Sequence, residues 1–506
     1  MSPYLILGFI AIYFLILISI SFFTSKNADN NSFFIGNRKS HWFLIALGLI
    51  GDSLSGVTFI SVPGKVVYDQ FSYLQLVFGY LVGYWIISYV LLPVYYKLKL
   101  TSIYSYLLGR FGVYSQKTGS FFFILSRLLG AGGRLYLAVL TIQFFVFDRI
   151  FGTPAGALEA NRNFIITVAV MILLMIAYTY KGGIKTLVWT DSFQSILLLG
   201  GLIFSIIAIG TQLNLGFSGM VQEVSNSPHS KIFFWDFNEK TYFWKQFLGG
   251  AFIAISMTGL DQNMMQKNLS CPNLKDAQKN IMTFSFVMVI VNVLFISLGA
   301  LLFVYASKLN IALELKPDGK IFTDKVFPSL ALGHLGTIAG LAFIVGLTAA
   351  TFSSADSVLA TLATSFCIDF LGFEKEGKYT EAKRTTLRKI VHLSSAVLLF
   401  FVIVVFKLGN NKAIIDTILY LAGFTYGPLL GLFAFGLFTK IKLNDFLVPV
   451  ICCLTPVFCY FLDKNSMLWF SGYKIGPELI LINGILTFIL LMLSSLVQKK
   501  KVPALT

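Results

Sequence analysis

The chain has 506 residues, 56% of them hydrophobic and only 12% charged, with a formal net charge of +16 and a mean hydropathy of +0.79. Ordinary globular domains carry about 25% charged residues, so this composition excludes a soluble globular class and describes an all-α polytopic membrane protein. The basic excess is not a nucleic-acid footprint, because Lys and Arg lie in short clusters between apolar runs rather than on one domain.

Apolar windows of about 20 residues predict about 13 transmembrane helices, at 3–24, 42–63, 73–96, 118–147, 164–180, 187–211, 245–266, 281–307, 334–358, 389–407, 414–438, 445–462 and 478–498. The first has neither the cleavage site nor the short apolar core of a signal peptide and counts as a helix. With an odd number of spans the termini lie on opposite sides. If the N-terminus is outside, the inner loops hold Lys26, Arg38 and Lys39, then Lys97, Lys99, Arg110 and Lys117, then Lys181 and Lys185. They also hold Lys267, Lys275 and Lys279, the cluster Lys375–Lys389, Lys440 and Lys442, and finally Lys499–Lys501. That is the larger share of the basic residues, so the N-terminus is expected outside and the C-terminus in the cytoplasm of a plasma (inner) membrane protein. The stretches between spans reach at most about 35 residues, below the roughly 50 of a small domain. Residues 1–506 are therefore expected to form one transmembrane domain, with function residing among the helices.

In chain order, the second span reads Leu49-Ile50-Gly51-Asp52-Ser53-Leu54-Ser55-Gly56-Val57-Thr58 before Pro63-Gly64, small and polar residues at mid-depth. A break here frees backbone carbonyls, which a membrane tolerates only where they are buried in protein or line a cavity, so the segment points to a binding site. Asp52, beside the break, is read as an ion contact or as a partner of Arg134. The fourth span carries two arginines. Arg134, in Gly132-Gly133-Arg134-Leu135-Tyr136, needs an anionic partner or a cavity, whereas Arg127 is expected to snorkel to the interface. Thr258-Gly259-Leu260-Asp261-Gln262-Asn263 marks a second break in the seventh span. The two interrupted spans are five apart, the offset of an inverted repeat with halves 42–211 and 245–438. One extra helix, 3–24, precedes the repeat and two, within 445–498, follow it.

The run Gly346–Phe370 contains Thr351-Phe352-Ser353-Ser354-Ala355-Asp356-Ser357, hydroxyls and a carboxylate where lipid would favour Leu and Val. On a helix Ala350, Ser353, Ser354 and Ser357 are spaced i, i+3, i+4, i+7 and line one stripe. Three hydroxyls and a carbonyl suit a hard cation such as Na⁺, whose lost hydration must be replaced by oxygen. Asp356 adds a negative charge beside them. The five cysteines show no CxxC spacing and read as free thiols. His41, His229, His334 and His392 lack metal-ligand spacing and read as loop or helix-end residues. Gly182-Gly183-Ile184-Lys185-Thr186 lacks the spacing of a phosphate loop.

Several of these stretches carry a resemblance. Gly182-Gly183-Ile184-Lys185-Thr186-Leu187-Val188-Trp189-Thr190-Asp191-Ser192-Phe193-Gln194 resembles the Gly-Gly entry into a helix bearing Thr-Asp and Gln in the sodium:solute symporter family. Ala350–Asp369 is similar to that family's sodium-site helix with its paired Ser-Ser and terminal Asp. Leu49–Gly64 resembles its broken first core helix, and Gly423-Phe424-Thr425-Tyr426-Gly427-Pro428 its tenth. The resemblance runs over nearly the whole chain and implies a LeuT-type fold, ten core helices in two inverted halves. It implies a Na⁺ site made of the carbonyls of Gly51, Leu54 and Ala350 and the hydroxyls of Ser353 and Ser354, which agrees with the stripe read from spacing. As in some members, it also implies a second Na⁺ near the cytoplasmic end, at Asp191, Ser353, Asp356 and Ser357. Asp356 departs from the hydroxyl usual there and would either strengthen the site or bind a proton.

Sugar-type members place a Gln in the first core helix and polar side chains in the second, sixth and seventh. Here the matching positions are Thr58, residues around Val77–Tyr80, Ala254 and Met288, which disfavours a glucose-like solute. Arg134 with Ser55 and Thr58 resembles the arrangement in members that carry carboxylate-bearing solutes, and Gln75 and Tyr426 are further candidates for the solute pocket. The expectation is a Na⁺-coupled symporter, not an enzyme, importing an organic anion such as a sialic acid or a monocarboxylate by alternating access. It would act in the lipid bilayer as a monomer or weak oligomer. Proton coupling to another solute (sugar, amino acid or vitamin) is the nearest alternative, and a transporter-like sensor or channel is the alternative of a different class.

Overall fold

Hydrocarbon offers no hydrogen bonds to backbone, so a chain this apolar must satisfy its peptide groups within helices. The computed structural model, which describes residues 2–26, 29–152, 157–375, 377–409 and 414–499, is helical throughout its described membrane segments. Outside them a single isolated bridge pairs Leu315 with Ile321. Among the described residues eleven helical stretches are long and apolar enough to cross a membrane, and the shorter apolar helix Trp42–Ser53 joins them. Their outer faces present large apolar side chains, among them Trp85, Ile196, Ile290 and Phe401.

Both predicted interruptions are present. The helix Trp42–Ser53 ends at Leu54 (φ −93°, ψ 37°), and after Ser55 (φ −37°, ψ 170°) a new helix runs over Gly56–Asp69. In the second broken helix, Phe243–Ala254 loosens into a π-turn over Ile255–Gly259 and stops at Leu260. The chain restarts at Gln262–Asn268, capped by the Asp261 carboxylate on the Met264 N–H at 3.1 Å.

With no hydrophobic drive between helices in lipid, close contact rests on small residues that let backbones meet. The helix Gly183–Gln212, which carries Thr190-Asp191, crosses the serine-rich helix Thr337–Ser365 at Gly201 and Gly346. A Cβ on Gly201 would lie 2.7 Å from the Ala342 carbonyl oxygen and 3.0 Å from Gly346 Cα. On its other side Gly48 admits Asp191, whose Cβ would stand 3.1 Å from a Cβ at Gly48. These crossings bring the first break, Asp191 and the serines to one depth.

Tyr73–Ile86 and Phe243–Ala254 meet in the same manner, Gly79 facing the Phe247 carbonyl and Gly250 the Leu76 carbonyl. Gly250→Val is expected to cost more than the about 1–3 kcal/mol usual for overpacking, since the atom it meets is backbone. Thermal unfolding of the detergent-purified protein measures this, and an unchanged midpoint would mean that the two helices can part there.

Candidate functional site

A helix leaves its last four carbonyls without intrahelical partners. At the first break the ladder ends with Leu54 N–H donating to the Ile50 carbonyl (2.8 Å) and resumes with Phe59 N–H donating to Ser55 (3.1 Å). The carbonyls of residues 51–54 are thereby released at mid-depth, and no side chain among the described residues donates to them. The second break differs. Tyr95 Oη donates to the Gly259 carbonyl and Tyr104 Oη to the Leu260 carbonyl, each at 2.9 Å, so the protein plugs this opening itself.

Opposite the first break lies the serine stripe. Ser353 Oγ is buried with no hydrogen-bond partner, an arrangement that is costly unless something satisfies the hydroxyl. A Cβ at Gly51 would stand 2.5 Å from Ser353 Oγ and 2.7 Å from Ser195 Oγ, so only glycine admits this approach. Gly51 N–H donates to Ser195 Oγ at 3.0 Å, fixing the strand of carbonyls beside the stripe. Gly56, just past the break, packs on Thr351 and Leu347. Ala350 and Ser354 are wholly buried in the same helix, the Ser354 hydroxyl donating back to the Thr351 carbonyl at 3.0 Å. A hydroxyl without a partner and carbonyls without donors form a donor set that fits a small hard cation.

One turn further along, Asp191, Asp356 and Ser357 converge, but around a cation of the chain's own. Lys267 Nζ donates to Asp52 Oδ2, to Asp191 Oδ2 at 2.5 Å and to Ser357 Oγ at 2.7 Å. Asp356 accepts from Tyr178 Oη (2.7 Å) and from the Ser357 N–H (2.5 Å). Asp52 thus partners Lys267 rather than Arg134. Lys267, read from the sequence as an inner-loop lysine, is 1% exposed and sits within the helix Gln262–Asn268. The Asp261 cap is the signal that should have extended the helix over it.

Beside the break opens a cavity of about 90 Å³, lined by Asp52, Ser53, Ser55, Thr58, Tyr73, Tyr80, Tyr84, Arg127, Arg134, Ala254, Thr258 and Met288, among others. Arg134 is buried and makes no hydrogen bond or ion pair among the described residues, so its guanidinium is free to meet a ligand. Ser55 and Thr58 share this wall.

Arg127 does not snorkel. It is buried and forms a two-pronged pair with Asp261, Nε to Oδ2 and Nη2 to Oδ1, both at 2.5 Å, because a matching carboxylate lies at the second break. Tyr426 Oη donates to the same Asp261 at 2.5 Å, and the ring borders a smaller adjoining cavity that Arg134 also faces. Gln75 lies off the cavity wall, spent on the carbonyls of Ser72 and Thr241 and on the Phe234 N–H. His392 is not a helix-end residue but is buried beside Thr179 Oγ1 at 3.1 Å.

At one end of the cavity a second chamber shares Tyr73, Ile415 and Leu419 with the first. Four charges cross it. Lys65 pairs with Asp69 (2.8 Å) and Asp416 (2.7 Å), and Lys240 with Asp416 (3.3 Å) and Asp69 (3.8 Å), all of them partly exposed.

The model of the sodium:solute symporter family matches residues 33–445. The chain belongs to that family. It is a transporter whose coupling ion is Na⁺. It is 23% identical over 474 residues to the sodium/sialic acid symporter SiaT of Proteus mirabilis, covering 92% of this chain and 91% of the relative. It is 26% identical to the sodium/sialic acid symporter NanT of Aliivibrio fischeri, over 91% and 88%. Human sodium-coupled monocarboxylate transporter 2 is 24% identical, over 81% of this chain and 64% of the relative. Among solved structures, a substrate-bound, outward-open Na⁺-coupled sialic acid symporter superposes with a TM-score of 0.80 at 21% identity, covering 97% of this chain and 98% of the other.

Two outcomes follow from this geometry. Ser353→Ala removes the partnerless hydroxyl and is expected to weaken Na⁺ at least about tenfold, in keeping with about 1.5–3 kcal/mol for a hydrogen-bonding group facing a charge. Stability measured without Na⁺ should hold, and unchanged Na⁺ affinity in a ²²Na⁺ binding assay would place the ion elsewhere. Arg127→Ala strands the buried Asp261 and is expected to cost about 3–5 kcal/mol, read as a fall in the unfolding midpoint that Asp261→Asn in the same chain partly restores.

Proposed function

We propose that the protein is a Na⁺-coupled importer of a small organic anion bearing a carboxylate, with a sialic acid as the favoured solute. The observation that carries this reading is Arg134, a buried guanidinium without a protein partner on the wall of the cavity at the helix break. An unpaired guanidinium is costly to bury, and a planar, two-oxygen anion is the group it pairs with best. Ser55 and Thr58 supply hydroxyls to the same space, and Tyr73, Tyr80 and Tyr84 offer hydroxyl-tipped rings suited to a polyhydroxylated body. The sialic acid relatives support the choice, since two of them align over about nine-tenths of the chain.

In this reading the carbonyls of Gly51, Leu54 and Ala350 and the hydroxyls of Ser353 and Ser354 hold Na⁺. The ion ties the first broken helix to the serine helix and shapes the wall of the solute cavity, so ion and solute stabilise the same conformation. Alternating access then works by opening one end of the bundle at a time around this fixed site. The paired charges of Lys65, Asp69, Lys240 and Asp416 close one end. Each inward Na⁺ charge contributes about 2.3 kcal/mol per 100 mV of membrane potential. Counting each broken helix once and dividing the stretch Gly56–Lys97 at Gln70 makes thirteen crossings, arranged as five plus five inverted core helices with one before and two after. With the N-terminus outside, the chamber of four charges faces the exterior. One chain carries the whole site and suffices as a monomer.

Arg134→Ala is expected to raise the KM for N-acetylneuraminate at least about tenfold, as loss of a charge-assisted pair implies, while ²²Na⁺ binding persists. Uptake into proteoliposomes checks this. Equal uptake of N-acetylneuraminate and its methyl ester by the unaltered protein would defeat the carboxylate reading.

A further inference from the structure

Three buried carboxylates, Asp52, Asp191 and Asp356, share one cluster with Ser357 and the ammonium of Lys267. An ammonium has three N–H donors, and here each has a partner: Asp52 Oδ2, Asp191 Oδ2 at 2.5 Å and Ser357 Oγ at 2.7 Å. No donor is left over: Asp52 Oδ2, Asp191 Oδ2 and Ser357 Oγ are already directed at one positive charge, while Asp52 Oδ1 and Asp191 Oδ1 have no hydrogen-bond partner among the described residues. The side chain arrives from Gln262–Asn268, the far half of the second broken helix, which supplies nothing to the Gly51–Ser353 site.

We infer that Lys267 is a built-in cation standing in for a second Na⁺ at Asp191, Asp356 and Ser357, so that one Na⁺, bound at the first break, accompanies each solute. The inference rests on the symport reading above. A second monovalent cation among Asp191, Asp356 and Ser357 would sit within a few ångströms of the ammonium, where repulsion in a buried site is strong and poorly screened. The tethered one is present at a high effective concentration whatever the Na⁺ level. Lys267 therefore occupies the cluster throughout the cycle and links the second broken helix to the Asp191 helix, to the first break through Asp52 and to the serine helix through Ser357. With a solute of charge −1, one Na⁺ makes the cycle electroneutral. A tenfold Na⁺ gradient then sustains a tenfold solute gradient, where two ions would sustain a hundredfold one and add the membrane potential.

The test counts ²²Na⁺ bound per purified chain and the Hill slope of Na⁺-dependent N-acetylneuraminate uptake. The unaltered protein is expected to bind one ion, with a slope near 1, and Lys267→Gln to bind a second. Should Lys267→Gln fail to fold, Lys267→Arg, which keeps the charge, is expected to fold and still bind one. Two ions on the unaltered protein, or a folded Lys267→Gln that still binds only one, would overturn the inference while leaving Na⁺ symport intact. No ²²Na⁺ binding at all, or binding indifferent to Ser353→Ala, would overturn the symport site and this inference with it.

Discussion

A transmembrane helix that stops halfway leaves peptide oxygens in a medium that cannot solvate them, and the rest of this fold answers that constraint. The chain meets it twice in opposite ways. At Gly259 and Leu260 two tyrosine hydroxyls fill the gap, and the Arg127–Asp261–Tyr426 cluster pins the loose end. At Gly51–Leu54 no side chain among the described residues does so, and the Ser353 hydroxyl that faces Gly51 is itself without a hydrogen-bond partner among them. One break is closed by the chain's own side chains, and the other is the one proposed to hold Na⁺.

The glycines belong to the same account. Gly201 against Gly346, and Gly48 against Asp191, let three helices approach closely, and Gly51 leaves room for the Ser353 hydroxyl beside the first break. Bulkier residues would still make good membrane helices, but the oxygens would lie too far apart to replace an ion's water. The packing that holds the bundle together and the geometry proposed to bind the cation are one arrangement.

Much of this was legible in the sequence because it is local. Small and polar residues at mid-span located both breaks, since helix-weakening residues act on their own few turns. The i, i+3, i+4, i+7 spacing located the serine stripe for the same reason. Arg134 was legible because an arginine deep in a span is anomalous by itself. What escaped depended on partners remote in the chain. Arg127 looked like an interface residue until Asp261, more than a hundred positions away, came alongside. Lys267 followed an apolar run and was counted as a loop charge, whereas it is buried among acids from three other segments. Gln75 had the polarity of a pocket residue, yet the Thr241 carbonyl and the Phe234 N–H of a distant loop consume it.

The paired charges of Lys65, Asp69, Lys240 and Asp416, of which Lys240 is exposed, carry a consequence for how the transporter meets its medium. The pairs of the exposed Lys240 are weakened by electrolyte over a Debye length of about 8 Å at physiological strength, unlike the enclosed Lys267 cluster. Brine would therefore act on the molecule in two capacities, as fuel for the transporter and as a solvent that loosens the contacts of Lys240. A rise in turnover with added NaCl mixes the two unless an inert salt holds total ionic strength constant.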